Sequence, residues 1–186
     1  MIIDGDFTIQ APIQQVWDFL IDIPQMSACM PGVEDLDQAG QNTYTGVVTI
    51  KVGPIATSFQ GEVELVEQDE PNSLKAKLQG RDRKTSSMVT GEFSADIKTT
   101  AENSTQVDYR FDLKIRGRLG QFGQAVIQDT ARQLTDEFVN CLRSRVENPD
   151  GPPEPTSSGE NLASIALRSF FSNLWSTLRK TLGSRN

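Results

Sequence analysis

Tyr44, Tyr109 and the carboxylates Glu62, Asp108 and Asp112 are the side chains with which this 186-residue chain could hold or transform a ligand. There is no histidine, which excludes a Ser-His-Asp triad, a Cys-His dyad, a histidine zinc site and a histidine base. The two cysteines, Cys29 and Cys141, lie outside any C-x-x-C pair. They read as buried thiols of a reducing compartment, neither as a disulfide framework nor as a zinc site. Gly117, Gly120 and Gly123 lack the G-K-[ST] ending of a phosphate loop. The three carboxylates alternate onto the wet face of their strands, so no carboxylate pair points inward.

What points inward is apolar. The predicted ligand-facing set is Tyr44, Phe59, Gly61, Val63, Met88, Gly91, Phe93, Tyr109, Phe111, Phe122, Val126 and Ile127. Such a lining suits a hydrophobic small molecule, and it equally suits a filled core. Glycines at inward positions (Gly46, Gly61, Gly91) either leave space or let the sheet bend. A tyrosine hydroxyl there bonds a ligand carbonyl or a backbone group. Met26, Cys29, Met30 and Met88 either flank an entrance or fill gaps.

These side chains need a scaffold, and the periodicities supply one. IIDGDFTI is a short strand, and APIQQVWDFLID begins with Pro12, which suits a first helical turn. Ile13, Val16, Trp17, Leu20 and Ile21 make one helical face. Pro24 restarts the chain into a second short helix that ends at Pro31-Gly32. Alternating runs then follow, with Tyr44–Val52, Phe59–Leu65, Leu74–Leu78, Val89–Ile97 and Val107–Ile115 as in-facing sets. About six antiparallel strands in a meander are expected. Phe122, Val126, Ile127, Ala131, Leu134, Phe138, Cys141 and Leu142 keep one stripe along a long helix that must cover the sheet. The expected class is α+β, with the boundaries 1–146 for the body, 147–160 for a proline-rich linker and 161–186 for a tail.

Gly5-Asp6-Phe7 before Ala11-Pro12, Val16-Trp17, Cys29-Met30-Pro31-Gly32-Val33, Val52-Gly53-Pro54 and Phe59-Gln60-Gly61 carry a family resemblance. Gly91, Tyr109, Gly117, Leu119 and Thr130-Ala131 extend it to about residue 145. The chain resembles the carbon monoxide dehydrogenase CoxG family of the START-like, helix-grip (SRPBCC) superfamily. The resemblance implies a curved antiparallel sheet wrapped around the long C-terminal helix, with an apolar cavity between them. It implies a quinone-like or lipid ligand and no other cofactor. It also implies a molybdenum-dependent, hydroxylase-type dehydrogenase complex as partner, which the protein recruits to the membrane. The chain departs from the family at RDRKTSSM, residues 81–88, where a glycine-rich apolar strand junction is usual. That segment is expected to rim the cavity mouth.

The formal charge of −7 is uneven. Residues 160–186 set Arg168, Arg179, Lys180 and Arg185 against Glu160 alone, whereas residues 1–146 carry −7 by themselves. An acidic body repels nucleic acid. MIIDGDFTIQ reads as no secretory signal, and no apolar run reaches the length of a membrane span. At about 100° per residue, Leu167, Phe170, Phe171, Leu174, Trp175, Leu178 and Leu182 share an arc of roughly 140°. Arg168 and Arg179 flank that arc, and Lys180 lies opposite. A basic amphipathic tail helix of this kind suits the surface of the cytoplasmic membrane. Its own body and a groove on a partner protein are the competing surfaces. The function expected from the sequence is a non-enzymatic hydrophobic-ligand binder, cytoplasmic and peripherally held to the inner face of the plasma membrane. A cavity enzyme (a cyclase or dehydratase) and a pure assembly factor with a filled core are the alternatives.

Overall fold

The computed structural model describes residues 1–147. The chain runs β1 (Ile2–Ile9), α1 (Ile13–Ile21), α2 (Ile23–Ser27), β2 (Val33–Gln38), β3 (Thr43–Val52), β4 (Ile55–Asp69), β5 (Ser73–Asp82), β6 (Ser87–Ala101) and β7 (Ser104–Arg116). A 3-10 turn (Leu119–Gln121) leads to α3 (Gln124–Glu147). All seven strands join one antiparallel sheet in the order β1-β7-β6-β5-β4-β3-β2. The six strands after α2 are thus the expected meander, and β1 closes it by pairing with β7. The architecture is the expected α+β sheet-and-helix arrangement.

Local chemistry accounts for the joints. Asp22 caps α2 by accepting from the Gln25 N–H at 3.0 Å. At Gly32, φ is +75° and an added Cβ would lie 2.0 Å from the Thr49 carbonyl oxygen, so only glycine fits the Met-Pro-Gly turn. β2 is an edge strand whose register shifts between Glu34 and Asp37. That bulge and the exposed Glu34, Asp35 and Asp37 blunt the edge against further pairing.

α3 lies along the inner face from one end of the sheet to the other. Near its start, Val126 packs with Val52, Phe59 and Leu119. At its other end, Val139 and Leu142 are buried with Ile9, Val16, Trp17, Ile97 and Val107. Two boundaries differ from the sequence reading. Phe122 precedes α3 in extended backbone (φ −68°, ψ 141°) rather than opening it. Glu147 belongs to the helix rather than the linker, and its Oε1 accepts from the Gln10 N–H at 2.7 Å. The rest of the predicted linker and the whole predicted tail, Leu167 to Leu182 included, lie outside the described residues.

The expectation of free thiols is corrected. Cys29 and Cys141 form a disulfide, with their Cα atoms 5.4 Å apart and a sequence separation of 112. Packing of α3 beside the turn after α2 creates the pairing, which no local spacing foreshadows. The bond ties the last third of α3 to the α2–β2 turn. Because it closes so long a loop, reducing it or substituting Cys141→Ser is expected to lower unfolding free energy by about 3–5 kcal/mol in the chain-entropy model. Urea titration with and without dithiothreitol measures this, and an unchanged midpoint would refute it.

Candidate functional site: the middle of the concave face

The inner face has packed ends and a loosely packed middle. One core lies at the α1 end, centred on Ile9, Trp17, Ile97 and Leu142. A second, centred on Ile23, Leu65 and Ala76, adjoins it. A third, centred on Val52, Phe59 and Leu119, lies at the opposite end. Between them Leu78, Tyr109, Phe111 and Leu113 of the sheet and Ile127, Ala131 and Leu134 of α3 are only half-buried, and they join none of these cores. The stripe of α3 is buried at Val139 and Leu142, whereas from Val126 to Leu134 it is half-buried and packs on the sheet less closely.

Aromatic rings wall this region. Phe93 and Phe111 have centroids 4.6 Å apart, and Tyr109 sits 6.1 Å from Phe111 and 6.2 Å from Phe7. Gly5 makes the place for Tyr109: its cross-strand partner is Tyr109, and an added Cβ would fall 2.6 Å from the hydroxyl oxygen. The inward glycines serve different ends. At Gly61 an added Cβ would be in ordinary van der Waals contact with the Gln79 carbonyl oxygen at 3.6 Å, so this position has room for a side chain without a collision. At Gly91 it would meet the Asp112 carbonyl oxygen at 2.4 Å and Leu113 at 2.7 Å, so this glycine permits close strand approach. Gly46, Gly61 and Gly80 stand in one row across β3, β4 and β5. Phe59 leans over Gly80, with ring atoms 3.5 Å from an added Cβ.

Of the predicted lining, the structure brings Phe93, Tyr109 and Phe111 together and sets Gly61, Val63 and Gly91 on the same face. Tyr44 and Val63 pack on the second core. Phe59, Phe122 and Val126 belong to the third, while Ile127 borders the open middle. Met88 is corrected: it pairs in register with Arg81 and Arg116 and therefore lies on the outer face, beside Thr90. Among the supposed entrance residues, Met26 packs on two cores, Cys29 is buried in the disulfide and Met30 is 38% exposed. The outer face carries its own depressions, of about 540 and 460 Å³, lined by polar residues such as Glu62, Gln79 and Thr90.

The sequence reading missed two polar groups. Trp17 is 1% exposed, and its indole N–H has no partner among the described residues. Asp82 points inward at the end of β5 and is 2% exposed. It accepts from the Thr57 hydroxyl, from Thr85 Oγ1 at 2.7 Å and from the Lys84 N–H at 2.7 Å. The Thr85 hydroxyl lies 2.9 Å from Ser87 Oγ, which accepts from the Leu119 N–H at 3.2 Å. The Thr57 hydroxyl bond, with the other donors, outweighs burial and lowers the Asp82 carboxyl from 3.8 to about 2. Asp82 does not converge with Tyr109: their partners on β6, Ser87 and Ala95, are eight residues apart, about 26 Å of strand. Instead it anchors the β5–β6 hairpin. Among the described residues, no group of three or more His, Cys, Asp or Glu side chains could hold a metal. No described helix is long and apolar enough to cross a membrane.

A depressed carboxyl stabilises the fold above its unfolded value and ceases to as it protonates. Stability is therefore expected to fall by on the order of 2 kcal/mol as pH drops from about 4 to 2. Asp82→Asn should flatten that step and destabilise the protein at pH 7, because it removes an acceptor from a buried network. Denaturant titrations of both proteins across that pH range check this.

Comparison with known proteins agrees with this geometry. Residues 5–147 match the family model of CoxG from carbon monoxide dehydrogenase. A conserved protein from Geobacillus kaustophilus superposes with a TM-score of 0.74 at 19% identity, covering 79% of this chain and 95% of its own. A START superfamily protein from Mycobacterium smegmatis gives 0.61 at 10% identity over 80% and 98%. The Zhui aromatase/cyclase from Streptomyces sp. R1128 gives 0.58 at 14% over 82% and 99%. At these identities the structures establish the START-like, helix-grip fold. No curated protein matches the chain significantly by sequence.

Proposed function

From a chain that belongs to the carbon monoxide dehydrogenase CoxG family, we propose a non-enzymatic accessory protein that carries a hydrophobic, quinone-like or lipid molecule. The observation that carries this reading is the half-buried aromatic wall of Phe93, Tyr109 and Phe111 facing the half-open stripe Ile127, Ala131 and Leu134. An apolar gap between two well-packed ends favours an apolar guest over water. Trp17 Nε1 is sealed in the core at the α1 end, so the Tyr109 hydroxyl, on the half-buried wall, is the donor placed for a ligand carbonyl.

The family name points to a carbon monoxide dehydrogenase complex as partner, and the proposal takes that partner to be a molybdenum-dependent enzyme. The sequence of the tail supplies the meeting place: Leu167, Phe170, Phe171, Leu174, Trp175, Leu178 and Leu182, with Arg168, Arg179 and Lys180, suit the inner surface of the cytoplasmic membrane. The solved aromatase/cyclase shares the fold, but here the buried carboxylate of this face, Asp82, is engaged in its hairpin.

Mass spectrometry of organic extracts from the purified full chain tests the ligand. A prenylated quinone or lipid is expected in the native protein, with at least about a fivefold loss in Gly61→Leu or Ala131→Trp variants whose urea midpoints stay close to native. Empty extracts, with no uptake of an added short-chain quinone, would favour the filled-core assembly factor. Flotation of the full chain with phosphatidylcholine vesicles tests the tail, and Leu174→Glu with Trp175→Glu should abolish it. Undiminished flotation of that variant would remove the tail from the account.

A further inference from the structure

Five of the body's fourteen basic side chains gather at one end of the sheet. Arg81, Met88 and Arg116 stand in one cross-strand row on the outer face of β5, β6 and β7. Arg83 and Lys84 occupy the turn between β5 and β6, and Arg118 follows Gly117 after β7. All five cations are exposed, and among the described residues none is in an ion pair. The single carboxylate of the segment 81–88, Asp82, is turned inward and buried.

These cations do not sit on loose loops. The same Asp82 network that shapes the hairpin reaches Ser87, whose hydroxyl oxygen accepts from the Leu119 N–H just after Arg118. Gly117, with φ of +82°, backs onto the Ser86 carbonyl so closely that an added Cβ would lie 2.1 Å from it. The β5–β6 turn and the segment after β7 are therefore fastened into one surface, which holds the backbone of the five cationic residues in one arrangement.

We infer that this end of the sheet docks on an anionic bilayer surface, with Arg81, Arg83, Lys84, Arg116 and Arg118 meeting lipid phosphates and Met88 contacting the interface. The charge pattern favours a bilayer over an acidic protein. A protein interface is usually organised around a desolvated apolar or aromatic centre, and here Met88 stands alone among cations. Arg81 and Met88 share an outer depression with Asp35, Asp37 and Glu62, but Arg83, Lys84 and Arg118 have no exposed carboxylate in their own segments, 81–88 and 116–123, and that end suits a laterally mobile sheet of phosphates. Arginine forks match phosphate oxygens. The inference shares the bilayer with the proposed function, but it stands on the described body alone and requires neither the tail nor a bound ligand.

The test uses the full chain and two charge-reversed variants of equal net change. Arg83→Glu, Lys84→Glu and Arg118→Glu reverse the patch, and Lys77→Glu, Arg132→Glu and Arg145→Glu reverse cations elsewhere. Each is titrated with phosphatidylcholine vesicles, with and without about 30% phosphatidylglycerol. The patch variant should bind the anionic vesicles at least about tenfold more weakly, the control less than about threefold, with urea midpoints of all three alike. If the patch variant is destabilised, Arg83→Gln, Lys84→Gln and Arg118→Gln replace it, with at least about a threefold loss expected. Equal losses in patch and control variants would reduce the effect to net charge and overturn the proposal. Unchanged affinity of the patch variant would overturn it too and point to an acidic protein as partner. Failure of the tail would show separately, as loss of binding to phosphatidylcholine alone.

Discussion

The packing of α3 governs the molecule. Its apolar stripe is fixed at the start through Val126 and at the far end through Val139 and Leu142. The disulfide to Cys29 adds a covalent tie near that far end. A helix held at both ends cannot collapse onto the sheet between them unless the sheet rises to meet it. The residues opposite, Leu78, Tyr109, Phe111 and Leu113, do not bury themselves fully. Elsewhere the same sheet packs closely, as Ile9, Ile97 and Val107 show. The gap thus follows from where the helix is pinned, and not from a shortage of apolar side chains.

The glycines fit the same constraint. Gly32, Gly91 and Gly117 allow backbone to approach backbone, where any side chain would collide. These approaches tighten the Met-Pro-Gly turn, the β6–β7 pair and the joint before the 3-10 turn. Gly61 is the different case, because an added Cβ there would make only ordinary contacts, at 3.6 and 3.9 Å.

Much of this was legible in the sequence. Period-2 alternation marked the faces of β3 to β7, and the long stripe marked α3, because one-sided burial imposes those periods on a chain. The fold-bearing glycines and prolines were visible as residue types. What escaped had physical reasons. β2 reads VEDLDQ, an acidic edge strand with little apolar alternation to mark it. The Cys29–Cys141 bond spans 112 residues and exists only because the ends of the fold meet. Asp82 reads as a solvated turn residue among Arg81, Arg83 and Lys84, yet the spacing of Asp82 to the Lys84 N–H and the Thr85 hydroxyl is that of a side-chain-capped turn. That spacing was the available signal. Met88 was misplaced against the chain's own parity: Val89, Gly91 and Phe93 face inward, so Met88 faces outward.

The chemistry of the inner face bears on binding against catalysis more directly than the fold does. A cyclase-like reaction needs a group that gives or takes a proton at the guest. In this molecule the inward carboxylate lies at the hairpin end, saturated with donors and held near pKa 2. Protonating it would loosen the hairpin and the surface fastened to it before it served a guest beside Tyr109. The one buried side-chain donor left without a partner among the described residues, Trp17 Nε1, does not exchange its proton at ordinary pH. The side chains that face the middle of this interior are apolar and aromatic, Leu78, Phe111 and Leu113 beside Tyr109. The polar chemistry sits outside, where the Asp82 network sets the positions of the surface cations. Inside and outside are thus coupled through one buried carboxylate, which has a structural task on both sides.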